Sequence, residues 1–125
     1  MIFFRMKKEE HEIRMGSYIV EQEDKTWSQP RFLHNAYCLV TRDFHTFYFT
    51  TETREKTSKD IGMMTWQNGR FSEPEDLPGE LNSVEWEAHA TISSDGQYML
   101  FDRMESTYVS FLKRDGTWGS GINMG

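Results

Sequence analysis

Two side chains that can exchange protons stand near the start of one predicted strand in the last third of the chain. Residues 85–89 read Glu-Trp-Glu-Ala-His, so Glu87 and His89 are two positions apart. Side chains of a strand alternate between its faces, and we therefore expect these two to share one face. Asn35 and Tyr37 hold the corresponding positions of a similar, earlier segment. We predict that these four residues contact a ligand through hydrogen bonds, the alternative being a solvated surface.

The sequence does not predict a catalytic nucleophile. The segment Gly-x-Ser-x-Gly, which presents the serine of many hydrolases, does not occur. Glu85 and Glu87 flank Trp86, and a pair of carboxylates is what glycoside hydrolysis requires. Such a pair would have to come from different parts of the fold, which spacing alone does not reveal. We assign no catalytic residue.

The residues that bind metals are scattered or isolated. None of the histidines stands at a zinc-site spacing from another: His11, His34, His45 and His89. Cys38 is the single cysteine, so it forms neither an internal disulfide nor a Cys-x-x-Cys site, and its apolar neighbours predict a buried structural thiol. We predict no metal site and no cofactor.

Charge and hydropathy exclude two classes of partner. The net charge of −6 and the pI near 5.2 oppose binding to phosphate backbones, so we expect no nucleic-acid partner. No apolar run approaches the ~18 residues of a transmembrane helix, so we expect no membrane insertion. The first residues, MIFFRMKKEE, do not have the pattern of a signal peptide.

A short segment that combines a turn with an aromatic residue occurs three times. It reads DKTWSQP at 24–30, NGRFSEP at 68–74 and DGTWGSG at 115–121, and it places Trp27, Phe71 and Trp118 in the same position. Asn-Gly and Asp-Gly between apolar runs are strong hairpin signals, because both turn residues must tolerate positive φ.

The segments before each turn also align, and they predict four strands, A to D, in each complete unit. Strands B and C are apolar on both faces, which indicates that both faces are covered. Units 2 and 3 span 32–78 and 79–125, and unit 1, at 1–31, lacks strand A. Long B–C loops are expected in units 1 and 2. The predicted strands are 37–41 and 89–93 (A), 46–51 and 98–103 (B), 61–66 and 107–113 (C), and 70–72 and 117–119 (D).

Units of about 45 residues with four short antiparallel strands are typical of β-propeller blades. We predict an all-β fold with a single region, a partial β-propeller of about two and three-quarter four-stranded blades. Strand A of a blade lines the central channel, which would place Asn35, Tyr37, Glu87 and His89 at the channel rim. Closed propellers have about four to eight blades. We therefore expect a piece of a longer protein or association through exposed blade faces.

Three motifs resemble the TolB-like, WD-like β-propeller repeat of bacterial envelope proteins. They are the turn Ser93-Ser-Asp-Gly96, the strand element Tyr108-Val-Ser110, and the segment Gly116-Thr-Trp118-Gly-Ser-Gly121. The segment Gly79-Glu-Leu-Asn-Ser83 resembles the linker between blades of that family. Unit 2 departs from the pattern, since Phe44 stands in place of the turn glycine.

The resemblance implies a propeller but no single activity. Our main interpretation is a non-catalytic interaction module, a fragment of a larger envelope-associated protein, that binds a protein, a peptide or a small ligand. The resemblance also implies a periplasmic or otherwise extracytoplasmic protein. The alternative is the propeller portion of a hydrolase. It would be either the gating domain of a serine peptidase, in which the same repeat occurs, or a carbohydrate-active enzyme, although the propellers of glycosidases lack such regular repeats.

Overall fold

The computed structural model describes residues 1–8, 13–52 and 59–125, and within these ranges the chain is all-β without a helix. No segment in these ranges is therefore an apolar helix of membrane-spanning length. Residues 9–12 and 53–58, which belong to the predicted long B–C loops, and the prediction for His11 lie outside the described residues.

Three antiparallel sheets and one small hairpin account for the strands, and none of the sheets closes on itself. The first sheet consists of β1 (Ile2–Lys8), β2 (Ile13–Ile19) and β5 (Arg31–His34), and the hairpin of β3 (Gln22–Glu23) and β4 (Thr26–Trp27) follows β2. The second sheet consists of β6 (Tyr37–Thr41), β7 (Thr46–Glu52), β8 (Lys59–Gln67), β9 (Arg70–Phe71) and β10 (Glu75–Asp76). The third sheet consists of β11 (Glu87–Ile92), β12 (Tyr98–Arg103), β13 (Ser106–Phe111) and β14 (Ile122–Asn123).

The three sheets repeat one register. In each sheet, the strand predicted as strand C leads into a tight hairpin, and a short strand then returns and pairs with it. These C strands are β2, β8 and β13. The returning strand pairs Ile19 with Arg31 in the first sheet, Met63 with Glu75 in the second, and Val109 with Ile122 in the third. The hairpin pair begins three residues after that position in every unit. It joins Gln22 with Trp27, Trp66 with Phe71, and Leu112 with Trp118.

Two apolar clusters hold the sheets together. Alternate residues of β7 point to opposite sides, since Phe47 and Phe49 belong to one cluster and Tyr48 packs on the other. The first cluster joins the second sheet to Ile2 and Leu33 of the first sheet. The second cluster joins the second sheet to the third and contains Ile61, Leu77, Leu81, Ala90, Met99, Phe101 and Trp118. The second sheet is thus covered on both faces, as its apolar strands predicted.

The recurring hairpin aromatic packs on the preceding sheet where there is one. Phe71 meets the ring of His34 in the first sheet edge to face, with the centroids 5.1 Å apart. Trp118 meets Tyr48 of the second sheet at 6.0 Å and is only 2% exposed. Trp27 lies in the first sheet's hairpin and remains 53% exposed. Equivalent positions therefore differ in burial because their surroundings differ.

Aspartates hold the predicted A–B turns. Oδ1 of Asp43 accepts hydrogen bonds from the backbone amides of His45 and Thr46, and Oδ1 of Asp95 accepts one from Gln97. The bonds from Thr46 and His45 lower the pKa of Asp43. Phe44, which replaces the glycine of the motif, has a φ of 56°. The turn therefore keeps its geometry without glycine, because the Asp43 carboxylate stabilises it.

The linker before the third sheet extends the contact between sheets. Asn82 binds the backbone of Ile61 twice, since Oδ1 accepts from its N–H and Nδ2 donates to its carbonyl, both at 2.9 Å. Gly79 has a φ of 117° and pairs with Trp118, whose carbonyl a Cβ at this position would strike. This position requires glycine.

Most predicted strands are confirmed, and one is reduced to isolated bridges. Strand A of unit 2 and strand B of unit 3 match the observed β6 and β12 to the residue. Strand D of unit 3 was expected at 117–119, and there the structure has only single bridges of Trp118, at the hairpin position that β9 occupies in unit 2. The later returning strands β10 and β14 were not predicted. The hairpin of unit 3 is one residue longer than that of unit 2, because Leu112 pairs with Trp118 six residues later, whereas Trp66 pairs with Phe71 five residues later. The longer turn delays the return of the chain.

Candidate functional site

A β-bulge interrupts the first strand of both the second and the third sheet. The register shifts between Tyr37 and Val40 in β6 and between Ala88 and Thr91 in β11. The residues within these bulges, Cys38 and His89, have φ values of 53° and 54°. Cys38 therefore holds the position equivalent to His89, one residue beyond the position expected from the sequence alignment. Extra residues of this kind redirect side chains, and they are frequent next to functional sites.

The bulge of β11 is secured by the neighbouring sheet. The backbone N–H of His89 donates to Oγ1 of Thr50 in β7, at 3.1 Å. A bulge residue leaves the regular ladder of its own sheet, so its amide needs another acceptor. Thr50 supplies it and fixes the backbone of His89 across the junction between the second and third sheets.

Three polar side chains meet at this junction, and we call Tyr37, His89 and Asp102 the rim cluster. Nε2 of His89 lies 3.3 Å from the Tyr37 hydroxyl, and Nδ1 lies 3.0 Å from Oδ2 of Asp102. When Nδ1 donates its proton to Asp102, Nε2 is left to accept a hydrogen bond from the phenol. The Tyr37 and His89 rings also meet edge to face, with their centroids 5.6 Å apart.

Asp102 is the member of the rim cluster that sequence reasoning missed. It lies on β12 opposite Ala88, so the bulge at His89 brings the imidazole toward its carboxylate. Thr107 on β13 donates from Oγ1 to Oδ1 of Asp102, at 3.4 Å. Its position near the end of strand B was the available signal, but locating the contact required the cross-strand register.

The local electrostatics favour a protonated phenol at the rim. The pKa of Tyr37 is raised chiefly by the negative charge that Cys38 carries once its thiol has ionised, and also by the hydrogen bond between the two side chains. Burial in turn raises the pKa of the half-buried Cys38 thiol. Tyr37 therefore acts as a hydrogen-bond donor or acceptor near neutral pH, and it is not activated as an anion.

The other two predicted site residues take no part in the rim cluster. Glu87 was expected to share a face with His89, but its side chain is fully buried, because the bulge that follows breaks the alternation. Its Oε1 accepts from the N–H and hydroxyl of Ser83 and pairs with Nε of Arg103 at 2.7 Å. Asn35 is exposed in the connection between β5 and β6. Glu87 is thus part of the structural core.

One carboxylate oxygen of Glu87 and one of Asp60 are buried without a partner in the part of the chain that the structure describes. Oε2 of Glu87 and Oδ1 of Asp60 on β8 are inaccessible, and neither has a hydrogen-bond partner among the described residues. Burial raises the pKa of Asp60, and the charges of Glu87 and Asp76 raise it further. The junction between the second and third sheets therefore holds an acidic group that resists ionisation.

We predict that Asp60→Asn stabilises the protein at neutral pH by at most about 1 kcal/mol, because Asp60 is only partly buried and solvent screens part of its charge. The variant removes a charge that burial and Glu87 both disfavour. The raised pKa means that the penalty is absent below the unfolded pKa of about 3.9 and grows as the pH rises through the folded pKa. Denaturant unfolding at several pH values measures this difference.

The exposed Asp24, in the turn between β3 and β4, provides the matched control for that experiment. Asp24→Asn is expected to change the free energy of unfolding by less than about 0.5 kcal/mol, as is usual for surface substitutions. A destabilised Asp60→Asn variant, or a difference from the native protein that does not shrink at low pH, contradicts the interpretation.

Within the ranges that the structure describes, no group of three or more histidine, cysteine or acidic side chains is placed to hold a metal ion. Comparisons of the chain with family models, curated proteins and solved structures find no match. The rim cluster is therefore interpreted from its own geometry. It offers a phenol, an imidazole and a carboxylate on adjacent sheets. Tyr37 is 39% exposed, and the side chains of His89 and Asp102 are 46% and 40% exposed.

Proposed function

We propose that the chain is a TolB-like β-propeller interaction module of two complete four-stranded blades and one partial blade. The support is the repeated register of the three sheets, in which the strand order, the hairpin and the aromatic position recur. The resemblance of the turn, strand and linker motifs to that repeat family supports the same assignment. An extracytoplasmic location follows from the resemblance and forms part of the proposal.

The proposed binding site is the rim cluster, and the proposed ligand is a peptide or an extended segment of a protein. The observation that carries this proposal is the contact of Tyr37 with His89 and of His89 with Asp102 across the junction of two sheets. Such a cluster presents donors and an acceptor that match backbone amides. Small molecules prefer concave sites that enclose most of their surface, and these three side chains are open to solvent.

Binding is favoured over hydrolysis by the exposure of the rim cluster. A hydroxyl beside a histidine that a carboxylate orients has the arrangement of a nucleophile and its base. Enzyme active sites, however, are usually concave and partly desolvated, whereas these three side chains are open to solvent. The hydrolase alternative would require reactive groups other than this phenol.

Selection of peptides from a random phage-displayed library against the immobilised chain tests the proposed function. We expect selected peptides to bind His89→Gln at least tenfold more weakly than the native chain, which corresponds to about 1.4 kcal/mol. Tyr37→Phe and Asp102→Asn are expected to weaken binding as well, since each removes one hydrogen-bonding group. Isothermal titration calorimetry gives the dissociation constants.

His45→Gln is the matched control, because His45 is an exposed histidine whose ring contacts the carbonyl of Trp66 in another turn. It is expected to bind the peptides as the native chain does. Peptides that bind His89→Gln and the native chain equally would place the binding surface elsewhere. Loss of binding in all variants including His45→Gln would point to a folding defect, which circular dichroism distinguishes.

A further inference from the structure

The outer face of the third sheet is apolar and open. The register aligns Thr91, Leu100, Val109 and Ile122 in one row across its four strands. Ile122 is 57% exposed. Beside this row, Tyr98 of β12 pairs with Phe111 of β13, with ring centroids 6.2 Å apart, and the two residues are 40% and 52% exposed. Apolar faces of this kind mark interaction surfaces.

The chain itself shows what covers such a face. In the second sheet, the equivalent row contains Tyr48 and Met63, and both pack against the cluster that includes Trp118 of the third sheet. The covering element is therefore a sheet of the same repeat, which inserts its hairpin aromatic. Leu100 holds the position in the third sheet that Tyr48 holds in the second.

The opposite end of the stack carries the complementary feature. Trp27 occupies the hairpin position of Phe71 and Trp118, yet it is 53% exposed. Met1, at the same end, is 64% exposed. One end of the chain thus offers an unburied hairpin aromatic, and the other offers the type of face on which such an aromatic packs.

We propose that two copies of this chain associate head to tail, with Trp27 of one copy packed near Leu100 on the third sheet of the other. The contact repeats the interface between the second and third sheets. It is heterologous, because the two copies use different surfaces, so it either closes into a ring or continues along a filament. This inference does not rest on the proposed function, although Asp102 lies on the same face of β12 as Leu100.

The charge of the chain predicts how salt affects this association. Each copy has a net charge of −6, so the copies repel each other at low ionic strength. Added salt screens this repulsion and leaves the apolar contact in place. Association is therefore expected to strengthen as the salt concentration rises.

Sedimentation velocity of the full chain over a wide concentration range tests the proposal. We expect reversible association of the native chain, and at least tenfold weaker association for Trp27→Glu at one end and Ile122→Lys or Leu100→Glu at the other. Two variants of the third-sheet face are used because Leu100 is half-buried and its replacement has a greater risk of misfolding. Val84→Glu is the control, since Val84 is 99% exposed on a loop outside both faces.

A mixing experiment separates a heterologous contact from a symmetric one. Trp27→Glu keeps the face of the third sheet intact, and Ile122→Lys keeps the Trp27 end intact. An equal mixture of the two variants is therefore expected to form dimers and nothing larger. Self-association of Trp27→Glu alone would indicate a symmetric contact between third sheets and overturn the proposal. A native chain that remains monomeric at all concentrations and salt levels would also overturn it, and would leave the face to another partner.

Discussion

Trp118→Ala is expected to lower the free energy of unfolding by about 3–5 kcal/mol, the range for truncating a large buried aromatic. Trp118 is only 2% exposed and lies in the cluster between the second and third sheets, where it meets Tyr48. Its backbone also pairs with the linker at Gly79. Truncation would open a cavity where two sheets and the linker meet. Guanidinium unfolding followed by circular dichroism measures the loss.

Trp27→Ala is the matched control for this experiment. The residue type and the hairpin position are the same, but Trp27 is 53% exposed. Its truncation is expected to cost less than about 1 kcal/mol in the monomer, since most surface substitutions have small effects. The measurement is made at low protein concentration so that association does not contribute. Equal costs for the two variants would mean that the packing on the preceding sheet does not determine the stabilising role of Trp118.

Arg103→Met is expected to destabilise the third sheet by a similar amount, about 3–5 kcal/mol, the cost of leaving a buried charge without its partner. The guanidinium of Arg103 pairs with the fully buried carboxylate of Glu87 and donates to the carbonyl of Leu81, both at 2.7 Å. It also lies over the ring of Tyr108, 4.6 Å from its centroid. Removal of the guanidinium leaves the carboxylate neither solvated nor neutralised. Chemical denaturation of the native chain and the variant gives the difference.

Two comparisons test this explanation. The double variant Glu87→Leu/Arg103→Met is expected to recover much of the lost stability, because it leaves no unpaired charge. Arg31→Met breaks the exposed pair of Arg31 with Glu21, in which both side chains are about 60% exposed, and is expected to cost less than about 1 kcal/mol. A double variant no more stable than Arg103→Met would show that packing of the arginine side chain, rather than the charge of Glu87, dominates.

The positions of the strands and turns follow from local sequence signals. Turn residues such as Asn68-Gly69 and Asp95-Gly96 adopt their conformations because of their own side chains and φ preferences, so the hairpins are predictable one at a time. Alternating and continuous apolar runs likewise predicted β6 and β12 to the residue. The recurrence of the hairpin aromatic at one register position was also visible in the sequence.

The assembly of the site depends on contacts that no local signal specifies. The bulge at His89 shifts the alternation, buries Glu87 and turns the imidazole toward Asp102, and it is fixed by Thr50 of another sheet. The burial of Trp118 and the exposure of Trp27 likewise depend on a neighbouring sheet and not on the residue. The sequence by itself therefore determined the repeated strands and their turns, because short-range sterics and patterning control them. Only the tertiary structure decided which side chains meet, because a one-residue bulge redirects every side chain beyond it.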